Sequence, residues 1–286
     1  MAKLNDSKLN SLFRTLPEGL LVDSTWLRSR GYSSSLCSQY VAAGWLEQPA
    51  RRVYQRTRTN LNDALTWQQV VISLQTVLDK ALVVGGRTAL ELQGLSHYLS
   101  AQVREVHLYG PEAPPTWLDD LPVDVTFRHH TGKRLFADDL RTPGLTSLDW
   151  SLQTGASAND DPLRSGFRQL DWGPWNWPLT VSTVERAILE LLDQLPNDES
   201  FHQADKLMEG LTMISPRRMA KLLAGCRSVK VKRLFFFFAE RHQHRWLSQL
   251  DPRQFDLGVG NRVLVQGGKL NSRYHITVPE DLDGLQ

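Results

Sequence analysis

Between Ser24 and Arg58 two glycine-stopped helical segments and an arginine-rich hairpin follow one another with almost no spacer, which leaves few folds open. Ser24 is placed to N-cap a short helix, TWLRSR, that ends at Gly31. Ser33 or Ser34 caps the next helix, which runs to Ala43 and is closed by Gly44. The segment after Gly44, WLEQ-PA-RRVYQRTR, predicts two short strands around a turn at Pro49-Ala50. Upstream, Leu4, Leu9, Leu12, Phe13 and Leu16 recur at near-helical spacing until Pro17 and Gly19 stop the pattern. Three helices and a hairpin, with a glycine turn between the last two helices, predict a winged helix-turn-helix over residues 1–60.

The residue types on each face fit that reading. Leu36, Cys37, Tyr40 and Val41 form one apolar stripe of the second turn-linked helix. The opposite face carries Ser34, Ser35, Ser38, Gln39 and Ala42, which are short or uncharged. Gln pairs bidentately with adenine, and Ser bonds a base edge or a phosphate. With the cap Ser33, and with Arg28 and Arg30 on the preceding helix, these residues are candidates for contact with double-stranded DNA. The hairpin adds Arg51, Arg52, Arg56 and Arg58, with Tyr54 among them, for phosphates or the minor groove.

Charge is segregated along the chain although the total is only +2. Residues 1–60 hold nine Lys/Arg against four Asp/Glu, a net of +5, and residues 61–205 hold ten against twenty, a net of −10. Residues 206–245 hold ten against two, a net of +8. Local basic zones are the electrostatic footprint of a nucleic-acid binder. The second zone makes Arg217, Arg218, Lys221, Lys230, Lys232 and Arg233 a candidate second basic surface beside an apolar run, Phe235–Phe238, that reads as core. Cys37 and Cys226 lie far apart in helical segments, which predicts reduced packed thiols in a cytoplasmic protein, with neither a disulfide nor a zinc site. No run approaches the roughly 20 apolar residues that a membrane helix requires.

Beyond a linker at Thr57–Thr66, residues 67–286 predict a larger α+β domain with a helical second half. A helix is expected over 67–79, strands over 81–84, 105–109 and 123–128, and a loop-rich stretch over 129–178 that includes His129-His130. Ser182 and Glu185 predict a capping box that opens a helix to Leu195. Helices follow over about 199–211, 216–226 and 229–243, then a hairpin of 262–266 and 273–278 around Gly267-Gly268.

LVVGGRTALELQGL, residues 82–95, leads a strand into Gly85-Gly86 and a helix, which brings N–H groups within reach of a phosphate. This resembles the opening of nucleotidyltransferase domains, where a following strand carries two metal-binding carboxylates. Here that strand offers Glu105 and His107, with Asp124 on the next strand as a nominal third ligand. One carboxylate and an imidazole suit a Mg²⁺-nucleotide site poorly, so Gly85-Gly86 reads first as a tight, closely packed turn. Catalysis through Glu105 and Asp124 stands as the alternative reading. HExxH, CxxC and GxSxG motifs are absent, so no cofactor or metal is expected.

Four segments resemble AbiEi-type antitoxins: SRGYSSSLCSQYVAAGWLEQPARRVYQR, LVVGGRTALELQGLSHYL, STVERAILELLDQLP, and the long run from CRSVKVKRLFFFF through DLGVG to ITVPEDL. The resemblance runs from about residue 4 to 282, with its matching segments in the same order. The resemblance implies an antitoxin of a type IV toxin–antitoxin, or abortive-infection, system with an N-terminal winged helix-turn-helix and an α+β antitoxin domain. It further implies repression of its own operon at inverted repeats, and antagonism of a nucleotidyltransferase-type toxin, commonly without a stable complex. The DNA-reading helix carried over is Ser33–Ala43 and the wing is Trp45–Arg58.

Overall fold

Leu12 on α1 (Ala2–Thr15) and Leu16, one turn later and just past its end, are fully buried, as their spacing requires. A computed structural model of the chain describes residues 2–57, 64–95, 103–136, 166–173 and 176–282. After α1 come β1 (Leu21–Asp23), α2 (Ser24–Ser29), α3 (Ser34–Ala42), β2 (Leu46–Ala50) and β3 (Val53–Arg56). The three strands form an antiparallel sheet in the order β1-β3-β2. This α-β-α-α-β-β order fits a winged helix-turn-helix. Gly31 and Gly44 adopt φ of +81° and +73°, the left-handed conformation that stops a helix where a side chain is strained.

Two local expectations are corrected. Asp23, not Ser24, caps α2, its Oδ1 accepting the Trp26 N–H at 2.7 Å. The hairpin turns at Arg51-Arg52, with Arg52 at φ +66°, and Pro49 lies inside β2. Pro is tolerated there because β2 is an edge strand, where a missing N–H costs no ladder bond.

Thr66 and Gln69 form a reciprocal capping box at the start of α4 (Trp67–Ile72), which runs into a π-helical turn at Ser73–Val77. A five-stranded mixed sheet follows: β4 (Val83–Val84), β5 (Glu105–Tyr109), β6 (Thr126–His130), β7 (Phe167–Trp172) and β8 (Trp177–Ser182), in the order β6-β5-β4-β8-β7. β4 pairs antiparallel with β5 and parallel with β8. His129 and His130 are therefore in a strand, and β7 and the start of β8 lie where a loop-rich stretch was expected; residues 137–165 fall outside the described residues. Buried Gln75 ties the π turn to the sheet, bonding Leu82 O, Thr180 O and the Thr180 N–H at 2.8, 2.9 and 3.0 Å.

Helices dominate the chain's second half: α5 (Gly86–Leu92) packs against α6 (Val184–Gln194), and α7 (Phe201–Gly210), α8 (Pro216–Gly225) and α9 (Val229–Arg241) follow. The predicted capping box at Ser182 is not formed: Thr183 holds the N-cap position, Ser182 ends β8, and Glu185 is drawn to Arg218. Phe235–Phe238 are all buried, as expected. The closing hairpin is shorter and later than predicted, β9 (Lys269–Asn271) with β10 (Ile276–Val278). Buried apolar side chains from Leu12 to Leu282 belong to one continuous cluster. Among the described residues no helix is long and apolar enough to cross a membrane.

Candidate functional site

The N-terminal surface is built around α3. Ser33 Oγ accepts the Leu36 N–H at 3.2 Å and fixes where the helix begins. Leu36, Cys37 and Tyr40 are buried, which turns Ser34, Ser35, Ser38 and Gln39 outward, all exposed. Ser38 Oγ donates to Ser34 O at 3.1 Å, so its lone pairs remain to accept from a partner. The helix is pinned from behind: Lys8 Nζ donates to Gly31 O and Tyr32 Oη donates to Lys8 O, at 3.1 and 3.0 Å.

Arg28, Arg30, Arg51 and Arg52 are exposed. The Arg30 guanidinium lies 3.7 Å over the Trp26 ring, which holds it at the surface of α2. The Ser24 N–H donates to Arg52 O at 2.9 Å, anchoring the hairpin turn to the start of α2. Two hairpin expectations are corrected. Tyr54 is buried, because β3 is the central strand of its sheet. Arg56 reaches back to Phe13 O and Leu16 O at 3.3 and 3.5 Å and lies over the Phe13 ring, so it caps the C-terminal end of α1. Arg58 lies outside the described residues.

The second basic zone does not form one surface. Arg233 is 1% exposed and donates to Leu257 O, Gly260 O and His275 O at 2.6, 2.7 and 3.1 Å, bracing the DLGVG loop from inside. Lys232 is buried, and Lys230 satisfies Asp193 O and Leu195 O at the end of α6. Arg218 Nη1 lies 3.0 Å from both oxygens of Glu185. Of the six residues, only Arg217 and Lys221 are exposed, one helical turn apart on α8. A buried helix whose cations cap carbonyls produces the same sequence signature as a basic face.

The Gly85-Gly86 turn is filled from within. The Gly86 N–H donates to Glu190 Oε2 at 2.9 Å, and a Cβ on Gly85 would collide with that oxygen and with the Tyr109 ring. Glu190 is fully buried and also accepts from Arg186 Nε at 2.7 Å and Ser182 Oγ at 3.1 Å. Burial raises its pKa, against the pull of Arg186. An internal carboxylate thus takes the donor that a phosphate would use.

Glu105 is committed as well. Its Oε2 meets Arg87 Nη2 at 3.0 Å, and its Oε1 meets Arg128 Nε and Nη2 at 3.1 and 2.9 Å. The Arg128 hydrogen bonds hold its pKa below the ordinary value. Asp124 does not join it: β6 begins two residues later at Thr126, the partner of Glu105, and Asp124 is exposed. His107 is buried, with Nδ1 3.0 Å from His130 Nε2, and desolvation lowers its pKa to about 4. Glu199, ahead of α7, lies beside this group with Oε1 3.3 Å from Arg87 Nε, and burial pushes its pKa up to about 7.

Sequence reasoning missed Arg87, Arg186, Glu190 and Glu199. The signal available was Glu190, one turn after Arg186 among the leucines and isoleucine of α6; a charge pair at core-facing positions announces a buried ion pair. Cys37 and Cys226 are free and buried, with burial raising both thiol pKa values, that of Cys226 to about 11.

The N-terminal α-β-α-α-β-β unit with its exposed polar helix face has the architecture of a winged helix-turn-helix, and it leads into an α+β region whose glycine turn is filled from within. Residues 5–101 match the family described as transcriptional regulator, AbiEi antitoxin N-terminal domain, and residues 173–279 match transcriptional regulator, AbiEi antitoxin, type IV TA system. The chain belongs to this AbiEi family of type IV toxin–antitoxin regulators. Its fold is similar to that in the crystal structure of the Rv2827c protein from Mycobacterium tuberculosis, with a TM-score of 0.51 at 14% identity over 94% of this chain and 88% of that one. No sequence match was found among curated proteins.

Proposed function

We propose that this antitoxin is a non-enzymatic autorepressor that binds inverted repeats of double-stranded DNA in its own promoter and counteracts a nucleotidyltransferase-type toxin. The observation that carries the DNA-binding reading is the exposed Ser34, Ser35, Ser38 and Gln39 face of α3, beside the exposed Arg51-Arg52 turn. Uncharged polar groups on a helix suit base edges, and flanking arginines suit phosphates. In this reading Ser33 and the exposed Arg28 and Arg30 add contacts, residues 1–60 carry operator binding, and residues 67–286 carry the antitoxic activity. The occupied Gly86 N–H and the two arginines on Glu105 support a non-catalytic second region. Buried reduced thiols support a cytoplasmic setting.

Promoter binding by the full chain, measured across salt concentrations, tests the proposal. Arg51→Ala with Arg52→Ala is expected to weaken binding to all sequences alike and to flatten the log–log salt slope by about 2, near 0.9 for each phosphate no longer neutralised. Gln39→Ala is expected to relax preference at one base position by about 1–3 kcal/mol. Unchanged slope and unchanged preference in these variants would remove the assignment. Incubation of the chain with labelled nucleotides and Mg²⁺ tests the second half: transfer that disappears in Glu105→Ala overturns the non-enzymatic reading.

A further inference from the structure

We infer that Arg87 is a built-in cation: its guanidinium occupies the place of a divalent metal ion between Glu105, His107 and Glu199. Three elements converge on it. Arg87 is the second residue of α5, Glu105 and His107 lie on one face of β5, and Glu199 precedes α7. Arg87 Nη2 is 3.0 Å from Glu105 Oε2 and 3.5 Å from His107 Nε2, and its Nε is 3.3 Å from Glu199 Oε1. The side chain of Glu199 is 1% exposed, yet neither of its oxygens accepts a hydrogen bond. It faces the guanidinium 3.3 Å away without hydrogen-bond geometry, which leaves the lone pairs of both oxygens for a cation and is a poor use of a buried carboxylate otherwise.

The histidine pair is arranged as around a metal. When His107 Nδ1 donates to His130 Nε2, 3.0 Å away, the lone pair on His107 Nε2 faces the Arg87 donors. A ligating imidazole is held in the same way, by an outer partner on its other nitrogen. Two carboxylate oxygens and one imidazole nitrogen are the donor set of Mn²⁺ or Zn²⁺ more than of Mg²⁺. Among the described residues no His, Cys, Asp or Glu group is arranged to hold a metal as it stands. His107 Nε2 and Glu199 Oε1 are kept 3.9 Å apart around the guanidinium. Arginine does not lose its charge at any physiological pH, so the carboxylates are neutralised whatever metal is at hand.

Removing the guanidinium therefore uncovers a divalent-cation site. The test compares full-length Arg87→Ala with the parent chain, titrating Mn²⁺ alone in chelator-treated buffer by calorimetry and by loss of its free-ion paramagnetic resonance signal. One Mn²⁺ per chain is expected to bind the variant at least about tenfold more tightly than the parent. Saturating Mn²⁺ is expected to raise the variant's thermal midpoint by about 3 °C or more and to leave the parent unmoved. Adding Glu199→Gln to Arg87→Ala should abolish both effects. If Arg87→Ala does not fold without metal, refolding with and without Mn²⁺ decides, and Arg87→Gln, which keeps bulk but no charge, repeats the comparison. Mn²⁺ affinity no higher than the parent's in a folded variant, or affinity that survives Glu199→Gln, or no recovery by Mn²⁺ in either unfolded variant, overturns the inference.

Discussion

Glu199 and His107 are buried a few ångströms apart and are pushed in opposite directions by the same desolvation. Glu199 moves up from 4.5 to about 7 in the folded chain. Between those values the folded chain holds a proton that the unfolded chain has released, so stability falls as pH rises through the window. His107 moves down from 6.5 to about 4. Between those values the unfolded chain holds a proton that the folded chain lacks, so stability rises with pH. The two slopes oppose each other between pH 4.5 and 6.5. Glu199→Gln is expected to uncover the rise and His107→Gln the fall, each by up to about 1.4 kcal/mol per pH unit. Urea unfolding across that window checks it; two variants with the parent's slope would mean that neither group titrates as its burial dictates.

At the scale of elements, the α5 turn shows why its glycines are required. Gly85 is extended, so its backbone suits any residue; what excludes a side chain is the approach of Glu190 and Tyr109. Gly85→Ala is expected to cost about 3 kcal/mol, because the added methyl drives a buried, arginine-paired carboxylate off the Gly86 N–H. A midpoint in denaturant within error of the parent's would mean that the turn relaxes freely. The wing makes a contrasting point. Its turn was legible as a turn but was expected at Pro49-Ala50. The pairing of Ala50 with Val53 moves it to Arg51-Arg52.

Across the whole molecule, the winged-helix unit and the α+β region share one apolar cluster. The Leu21 N–H donates to Ser73 Oγ at 2.8 Å, joining β1 to the π turn in a buried hydrogen bond. A Cβ on Gly19 would lie 3.1 Å from the Trp177 ring and 3.2 Å from Gln69. Ser73→Ala leaves the Leu21 N–H buried without its acceptor and is expected to cost about 1–3 kcal/mol. Because the core is continuous, the loss should lower the urea midpoint of tryptophan fluorescence and of far-UV circular dichroism together. Two separate transitions, only one of them moved, would show instead that the regions unfold independently.

The helix-turn-helix order, the glycine stops at Gly31 and Gly44, the polar face of α3 and the buried Phe235–Phe238 run were all readable from the sequence. Each is set by neighbours within about four residues, where helical and strand periods act. The fate of the charges was not readable. Arg233 reads as a surface cation and is a buried strut for a loop 24 residues away; Arg56 reads as a phosphate contact and caps a helix 43 residues upstream. The Gly86 N–H reads as a phosphate donor and is filled by Glu190, 104 residues on. Local sequence fixes which face of an element is apolar. Only the tertiary fold decides which opposite charge or orphan carbonyl lies in front of a cation, and therefore whether that cation meets a partner molecule or its own chain.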